Sequence, residues 1–351
     1  MAQEYFLHVT GSAPALWPAE LHFGLLWIGD GEALEVPRRY PFSGRWGEIL
    51  STQTLDRDKF PMPKKLDMVW LSVVEKTFYS IECDLPTAQM EECWQRMTND
   101  EGEPSLSHIV VGMAPYGQVA LWLRGEKKSI LLDWLRGERM ESSSKQLMPN
   151  NPTETIDSHC RKYIKRRVHK HLKMHGLPEP GLFDRIMAQY CYRLVPLFEH
   201  WRSDEDVKWR RHDDDEENPP VMDHVFVSRC DGTHHKIADD TIMRHHMAGR
   251  PERIEVAWHT GKSEWQAYIW LNEELTAPIF ERLYGMHRDT RVDLLLHFDP
   301  EQQHYELALF RYGMKQPQLL PEDCFQLIVF KNQFENYRTD NYSQPSGAWI
   351  W

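Results

Sequence analysis

The chain has no apolar run approaching the roughly 18 to 20 residues that a membrane-spanning helix requires, which excludes an integral helical membrane protein. It also has no CxxC and no short cysteine framework. Cys83, Cys93, Cys160, Cys191, Cys230 and Cys324 are scattered, and in a chain of this size they read as free thiols of a reducing compartment. The opening Met1-Ala2-Gln3-Glu4-Tyr5-Phe6-Leu7-His8 carries no basic stretch, no apolar stretch and no lipid-attachment cysteine, so the expected location is the cytoplasm. No Gly-x-Ser-x-Gly elbow, dinucleotide fingerprint or kinase motif occurs. Val111-Gly112-Met113-Ala114-Pro115-Tyr116-Gly117 lacks the Gly-Lys-Ser/Thr of a phosphate loop and reads as a strand turn. These absences weigh against the common enzyme classes.

Positive charge is in deficit as well. Lys and Arg number 41 against 53 Asp and Glu, a net charge of −12, which disfavours nucleic acid and suits a basic partner. What the chain has in surplus is aromatic surface, with 14 Trp among its 351 residues. Apolar residues at 41% and charged residues at 27% are ordinary for a globular protein. At roughly 150 residues per domain the length suggests about two domains.

The outer thirds look alike. Lys65-Leu66-Asp67-Met68-Val69-Trp70 alternates apolar with polar and ends in Trp, as does Arg253-Ile254-Glu255-Val256-Ala257-Trp258. Each precedes a polar turn and a second alternating run, Phe78 to Cys83 and Ala267 to Leu271, the pattern of a β-hairpin. Helical segments follow, Thr87 to Met97 and Thr276 to Met286, with Thr read as the N-cap and Pro278 at an early, tolerant position. A further pair of apolar runs closes each third, His108–Met113 with Gln118–Gly125, and Val292–Phe298 with Tyr305–Gly313. The expected fold is therefore α+β: two related antiparallel hairpin/helix/hairpin modules, residues 1–150 and 221–351, joined by a helical insertion with an acidic loop, residues 151–220.

In that insertion Ile156, Cys160, Tyr163, Ile164, Val168 and Leu172 recur at helical spacing, with cations between them and a stop at Gly176. A second helix is expected from Leu182 to Trp201, kinked at Pro196. Ser203 to Pro220 carries eight acids, including Asp213-Asp214-Asp215-Glu216-Glu217, and reads as a solvated loop. The tail ending in Trp349-Ile350-Trp351 is expected to dock on the body.

Among candidate chemistries, His234-His235 and His245-His246, with Asp239 and Asp240 between them, are the one grouping that suggests a metal. Neighbouring strand residues point to opposite faces, however, and the spacing is not that of a known zinc motif. His159, His169, His171 and His175 ride the basic helix and read as a solvated face. The acidic run Asp213, Asp214, Asp215, Glu216, Glu217 is the candidate partner-binding element, since it would speed association with a basic protein by charge steering.

The segments Pro63 to Ser72, Lys76 to Tyr79, Leu85-Pro86 and Ile109 to Leu123, with Phe334 to Arg338 and Gly347-Ala348-Trp349, resemble bacterial proteins of the domain-of-unknown-function family numbered 2931. The resemblance spans the two outer thirds and omits the helical middle. It implies an immunity protein encoded beside a type VI secretion effector. Many such relatives carry a lipoprotein leader, whereas this sequence shows none, so the implied toxin acts in the cytoplasm, with a nuclease the natural candidate. The expected function is thus stoichiometric binding of a cognate toxin with a basic nuclease domain. No catalytic residue, metal or cofactor is expected, and neither nucleic acid nor a membrane is an expected partner. The alternatives are an enzyme whose His/carboxylate site forms only in three dimensions, and an adaptor of the secretion apparatus.

Overall fold

From Lys65 to Ser72 the chain buries Leu66, Met68 and Trp70 and half-exposes Asp67 and Val69 between them. That period of two is what a strand with one face on a core requires. The same logic, repeated along the chain, makes the protein predominantly β. The computed structural model describes residues 3–29, 31–38, 41–50, 59–96, 106–141, 154–197, 221–237, 244–260, 263–299 and 304–333. Strand takes 53% of these residues and helix 20%. They form two compact units, one from Met1–Met187 with Asp231–Thr233, the other from Ala188–Cys230 with the chain after Thr233. Among the described residues no helix is long and apolar enough to cross a membrane.

The first unit begins with β1 (Glu4–Phe6), β2 (His8–Ser12), β3 (Ala19–Gly29), β4 (Glu32–Glu35) and β5 (Lys59–Pro61). It continues with β6 (Lys65–Ser72), β7 (Thr77–Asp84), α1 (Thr87–Arg96), β8 (Leu106–Ala114), β9 (Gln118–Gly125), β10 (Ser129–Arg136) and β11 (Glu138–Arg139). Three helices close it: α2 (Ile156–Tyr163), α3 (Arg166–His175) and α4 (Leu182–Ile186). One sheet runs β11-β7-β6-β3-β4, a second β10-β9-β8-β2, and β1 pairs with β5 as a ribbon. Among these described strands the pairings are antiparallel except β2 with β8, where His8 lies opposite His108.

Both larger sheets share one core: Leu21, Leu26, Met68 and Trp70 meet Ile109, Val111, Leu121 and Leu123, and Met90 and Trp94 of α1 close it. The far side of β8 and β9 is buried too, because Val110, Ala120 and Trp122 pack with Trp46, Val168 of α3 and Phe183 of α4. Coverage on both faces explains why these two strands are apolar almost without alternation. Their turn puts Tyr116 at φ 62° and Gly117 at φ 73°. Gly117 suits that left-handed backbone, and an added Cβ would stand 2.7 Å from the Gly137 carbonyl oxygen.

The second unit comprises β12 (Gln189–Leu197), β13 (Val221–Arg229), β14 (His234–Ile237), β15 (His246–Gly249), β16 (Pro251–Thr260) and β17 (Ser263–Leu271). Then come α5 (Glu273–Tyr284), β18 (Val292–Asp299), β19 (His304–Arg311), β20 (Gln318–Leu319) and β21 (Phe325–Gln333). Its sheets run β14-β13-β16-β17-β21 and β15-β12-β18-β19-β20, and here β12 is parallel to β18. Val225, Ile254, Val256, Trp258 and Ile269 from one sheet pack with Tyr192, Leu294, Leu296 and Leu309 from the other, and with Phe280 of α5.

The expected α+β class is corrected by these proportions. Neither unit is only a hairpin/helix/hairpin module of antiparallel strands, since each adds further strands and a parallel pairing. Each is built on two larger sheets, mixed or antiparallel, whose shared core takes a minor part from one helix of 10 or 12 residues, α1 or α5. Nor is there a helical insertion between two modules, because α2, α3 and α4 belong to the first unit and pack on its sheets.

The helix expected from Leu182 to Trp201 ends at Ile186. From Gln189 the aromatic residues serve a different period: Tyr190, Tyr192 and Leu194 are buried and alternate with half-buried residues, so the segment is the strand β12. Aromatic residues at every second position favour the pleated surface over the helix. Pro196 is accommodated because β15 pairs only as far as Tyr192, leaving the last part of β12 with a ladder on one side.

The basic helix is likewise two helices, with extended backbone at Ile164 and Lys165. Ile164 sits at the break and packs on two separate clusters, that of Leu71, Phe78 and Cys160 and that of Trp17 and Val168, which a continuous helix would not reach together. Helix α5 starts three residues before Thr276: Asn272 is its cap, accepting from the Glu274 N–H, and the Thr276 hydroxyl donates to the Asn272 carbonyl. Pro278 is therefore in the helix interior.

Candidate functional site

The acidic run Asp213, Asp214, Asp215, Glu216, Glu217 and the tail Trp349-Ile350-Trp351 lie outside the described residues. The four histidines of the metal alternative are described, while Asp239 and Asp240 lie outside the described residues; His235 and His246 have ring centres 6.5 Å apart, and the other two point elsewhere. His234 is buried on β14 with its ring against Phe226. His245 meets Asp293 at 2.8 Å, while His246 turns to Arg229 and Tyr192. The adjacent pair thus serves two different neighbourhoods, as strand geometry dictates. Among the described residues no three His, Cys, Asp or Glu side chains are placed to hold a metal ion.

Two buried ionic clusters organise the second unit. Arg250 is 1% exposed; its guanidinium pairs with Glu273 at the start of α5, donates to the Tyr190 hydroxyl at 3.2 Å and lies over the Tyr190 ring. The Cys230 thiol donates to the same Glu273 carboxylate at 2.8 Å. Burial first, then Glu273, pushes that thiol well above its ordinary range. In the second cluster Arg193 of β12 grips Asp293 of β18 with two hydrogen bonds, 2.7 and 2.9 Å, and His245 takes a third position on the same carboxylate. Burial holds the His245 pKa below its usual value, with Asp293 opposing and Arg193 and Arg291 assisting.

In the first unit the densest titratable cluster joins α2 to β3. Glu20, 3% exposed on β3, meets His159 Nε2 at 2.6 Å, and the other ring nitrogen faces Glu154 at 3.5 Å. Lys162 pairs with Glu154, and Lys76 pairs with Asp157. Burial raises the Glu20 pKa, with His159 working against the rise and Glu154 adding to it. Hydrogen bonds from Lys162 and Lys76 lower the Glu154 and Asp157 pKa values. An imidazole between two carboxylates resembles a proton relay, but the next residue supplies no nucleophile. Burial, followed by Glu20, pushes the Cys160 thiol up to about 12, far from the thiolate that covalent chemistry needs. The arrangement acts as a clamp holding α2 on the sheet.

The element that departs most from local helix rules is α3. Between Asp157 and Glu179 the sequence contains seven Lys or Arg and no acid. Lys165 at the N-cap makes no side-chain capping bond, and Arg166 and Arg167 occupy the first turn, the wrong sign for the positive end of the helix dipole. Arg166 and Lys170 are four residues apart, Lys170 and Lys173 three, so like charges face each other along one side. Each misplacement costs a few tenths to about 1 kcal/mol. The helix is held instead by its other side, through Val168, 3% exposed, and Leu172 in the Trp17–Trp46–Phe183 cluster. His171 packs edge-on against Trp17, and His175 stacks on His171. The outward side is left to Arg166, His169, Lys170, Lys173 and Met174, all exposed. Among the described residues none of Lys165, Arg166, Lys170 and Lys173 is paired with an acid. From the sequence, the expected partner of these cations is the acidic loop that follows or water, with phosphates the lesser alternative; the missing acids were the signal that it is a surface of a single sign.

Residues 6–178 match the family described as "Protein of unknown function (DUF2931)". The match ends after α3 within the first unit. It includes α2 and α3, which the resemblance read from the sequence left out, and it does not extend to the last third of the chain. No curated protein and no solved structure matches the chain.

Proposed function

We propose, from the match over residues 6–178 and the charge of the chain, that this protein is an immunity protein. It would bind and neutralise a type VI secretion antibacterial effector acting in the cytoplasm, a nuclease toxin with a basic substrate cleft. The link to effectors comes from what the family resemblance implies. The observation that carries the choice of partner is electrostatic: a net charge of −12 with five consecutive acids, Asp213 to Glu217, suits a surface built to attract phosphates. Oppositely charged partners associate faster than neutral ones. Burial raises the pKa of all six thiols, which favours binding over cysteine-based catalysis.

The test is capture of the partner by the tagged full-length chain from its own bacterium, followed by expression of the captured protein alone and with the chain. A single partner that arrests growth alone and is silenced by the chain supports the reading. Recovery of secretion sheath or baseplate components in its place would overturn it. Charge reversal of Asp213, Asp214, Asp215, Glu216 and Glu217 is expected to slow association at least tenfold at low salt and to flatten its salt dependence. An unchanged rate would remove these five residues from the encounter.

A further inference from the structure

The outward side of α3 presents Arg166, Lys170 and Lys173 in one row roughly 10 Å long, the rise of seven helical residues. Met174, one turn beyond Lys170, is 60% exposed on the same side, and Leu177 just past the helix is 47% exposed. Lys165 precedes the row, and no acid interrupts it from Ser158 to Pro178. The row stands on a rigid base, since Val168 and Leu172 on the opposite side are packed under Trp17 and Phe183.

A helix that forgoes a cap, puts cations at its own positive end and lines up like charges gains nothing from them within the fold. Such local misfits mark surfaces shaped for something outside it. Three features limit what that is. The charge is of one sign, so the partner is anionic. Exposed Met and Leu stand among the cations, so the partner offers an apolar layer next to its anions. The helix carries no Phe, Tyr or Trp on which bases could stack, so a single-stranded nucleic acid would find only phosphate contacts.

We infer that the outward face of α3 is a docking surface for an anionic lipid bilayer. Lys165, Arg166, Lys170 and Lys173 meet the headgroup charge, and Met174 and Leu177 enter the boundary below. Clustered cations on an amphipathic helix are the recognised signature of that contact. Among the described residues no helix is long and apolar enough to cross a membrane, and a surface contact departs from the expectation of no membrane partner. At physiological salt the screening length of about 8 Å confines the protein's overall negative charge to its own neighbourhood, so the patch acts locally. The inference does not rest on the immunity reading, which concerns Asp213 to Glu217.

The test is co-sedimentation of the full-length protein with vesicles of phosphatidylcholine containing one-third phosphatidylglycerol, and with vesicles of phosphatidylcholine alone. The protein is expected to sediment with the anionic vesicles at roughly 0.1 M salt and to be released when salt is raised severalfold. Each cation near such a surface multiplies partitioning about fivefold, so the combined variant Arg166→Gln, Lys170→Gln, Lys173→Gln is expected to lose about a hundredfold. These side chains are exposed, and a circular-dichroism melt matching wild type would verify that the variant is folded. Met174→Ser is expected to lower partitioning severalfold without changing its salt dependence. Wild-type protein left in the supernatant with anionic vesicles, or equal sedimentation of the triple variant, would overturn the inference. So would binding to duplex DNA or RNA that the triple variant abolishes while vesicles bind neither form.

Discussion

The Glu20 carboxylate and the His159 imidazole meet at 2.6 Å although 139 residues separate them in the chain. Through this one bond β3, near the start of the first unit, holds α2, near its end. Glu20 is almost wholly buried, so its charge depends on the partner it keeps.

Removing that partner should therefore be costly. His159→Ala takes the close partner from a buried carboxylate, leaving it His22 at 3.7 Å, and is expected to destabilise the first unit by about 3 kcal/mol. Glu20→Gln, which removes the charge while keeping the shape, is expected to cost less. Urea denaturation followed by Trp fluorescence measures both, and equal costs would show that burial of charge is not what His159 offsets. The pH dependence has a definite sign. The folded pKa of Glu20 is raised, so its contribution is most favourable at low pH and is lost as pH rises through the folded value. Glu154 and Asp157 have lowered values, so their pairs act the other way and are lost as pH falls.

A second pH effect comes from His108, aligned with His8 across the parallel pair β2 and β8 with ring centres 5.1 Å apart. Burial, then His8 and Arg124, lowers its pKa to about 4. The folded state therefore binds this proton less readily than the unfolded chain, and stability is lost as pH falls below the ordinary value of 6.5. After allowance for partial exposure, the loss between that value and about 4 is of order 1–2 kcal/mol. His108→Gln should abolish that part of the slope in a series of denaturation curves. An unaltered slope would assign it to other groups.

Arg250→Ala should be among the most damaging single changes in the second unit, at about 3–5 kcal/mol, since it strands Glu273 in the core. Adding Glu273→Gln should recover part of the loss. A chemical readout accompanies the thermodynamic one. The Cys230 thiol donates to Glu273 and is pushed up by burial, so in wild type it should be nearly inert to a disulfide reagent at mildly alkaline pH. Arg250 favours the thiolate, so Arg250→Ala should leave the intact site no more reactive, and faster labelling there would report opening of the destabilised unit. Prompt wild-type labelling at Cys230 would contradict the buried cluster.

Gly112→Ala tests packing alone. Its Cβ would enter the ring of Trp122 and stand 2.9 Å from Trp46, and both rings are hemmed in by the α3–α4 layer. A cost of roughly 1–3 kcal/mol is expected, read as a lower thermal midpoint with the far-ultraviolet spectrum unchanged.

Much of the strand content was legible in single runs. The alternations of Lys65–Trp70 and Arg253–Trp258 became β6 and β16, and the apolar runs around Pro115 became β8 and β9. What misled was any stretch whose apolar residues fit two periods at once. Phe183, Ile186, Met187, Tyr190, Leu194 and Leu197 line one side of a helix, yet Tyr190, Tyr192 and Leu194 equally line one side of a strand, and the parallel partner β18 decided between them. That partner lies far along the chain, where local patterning has no access to it. The same distance hid the Glu20–His159 clamp, for nothing near Glu20 in the sequence marks it as buried. At the histidine pair around residue 245 the divergence argued from the sequence is visible, with His245 on Asp293 and His246 on Arg229.

The two parallel pairings also set an order in time. His8 finds His108, and Tyr192 finds Val292, each a hundred residues further along the chain. On the ribosome β2 must wait, with its backbone edge unpaired, until the whole of β8 has emerged. At about 5–20 residues per second that wait lasts many seconds. The second unit repeats the delay with β12. The chain is thus exposed to misassembly twice during a single synthesis, and a holding chaperone has two separate intervals in which to act.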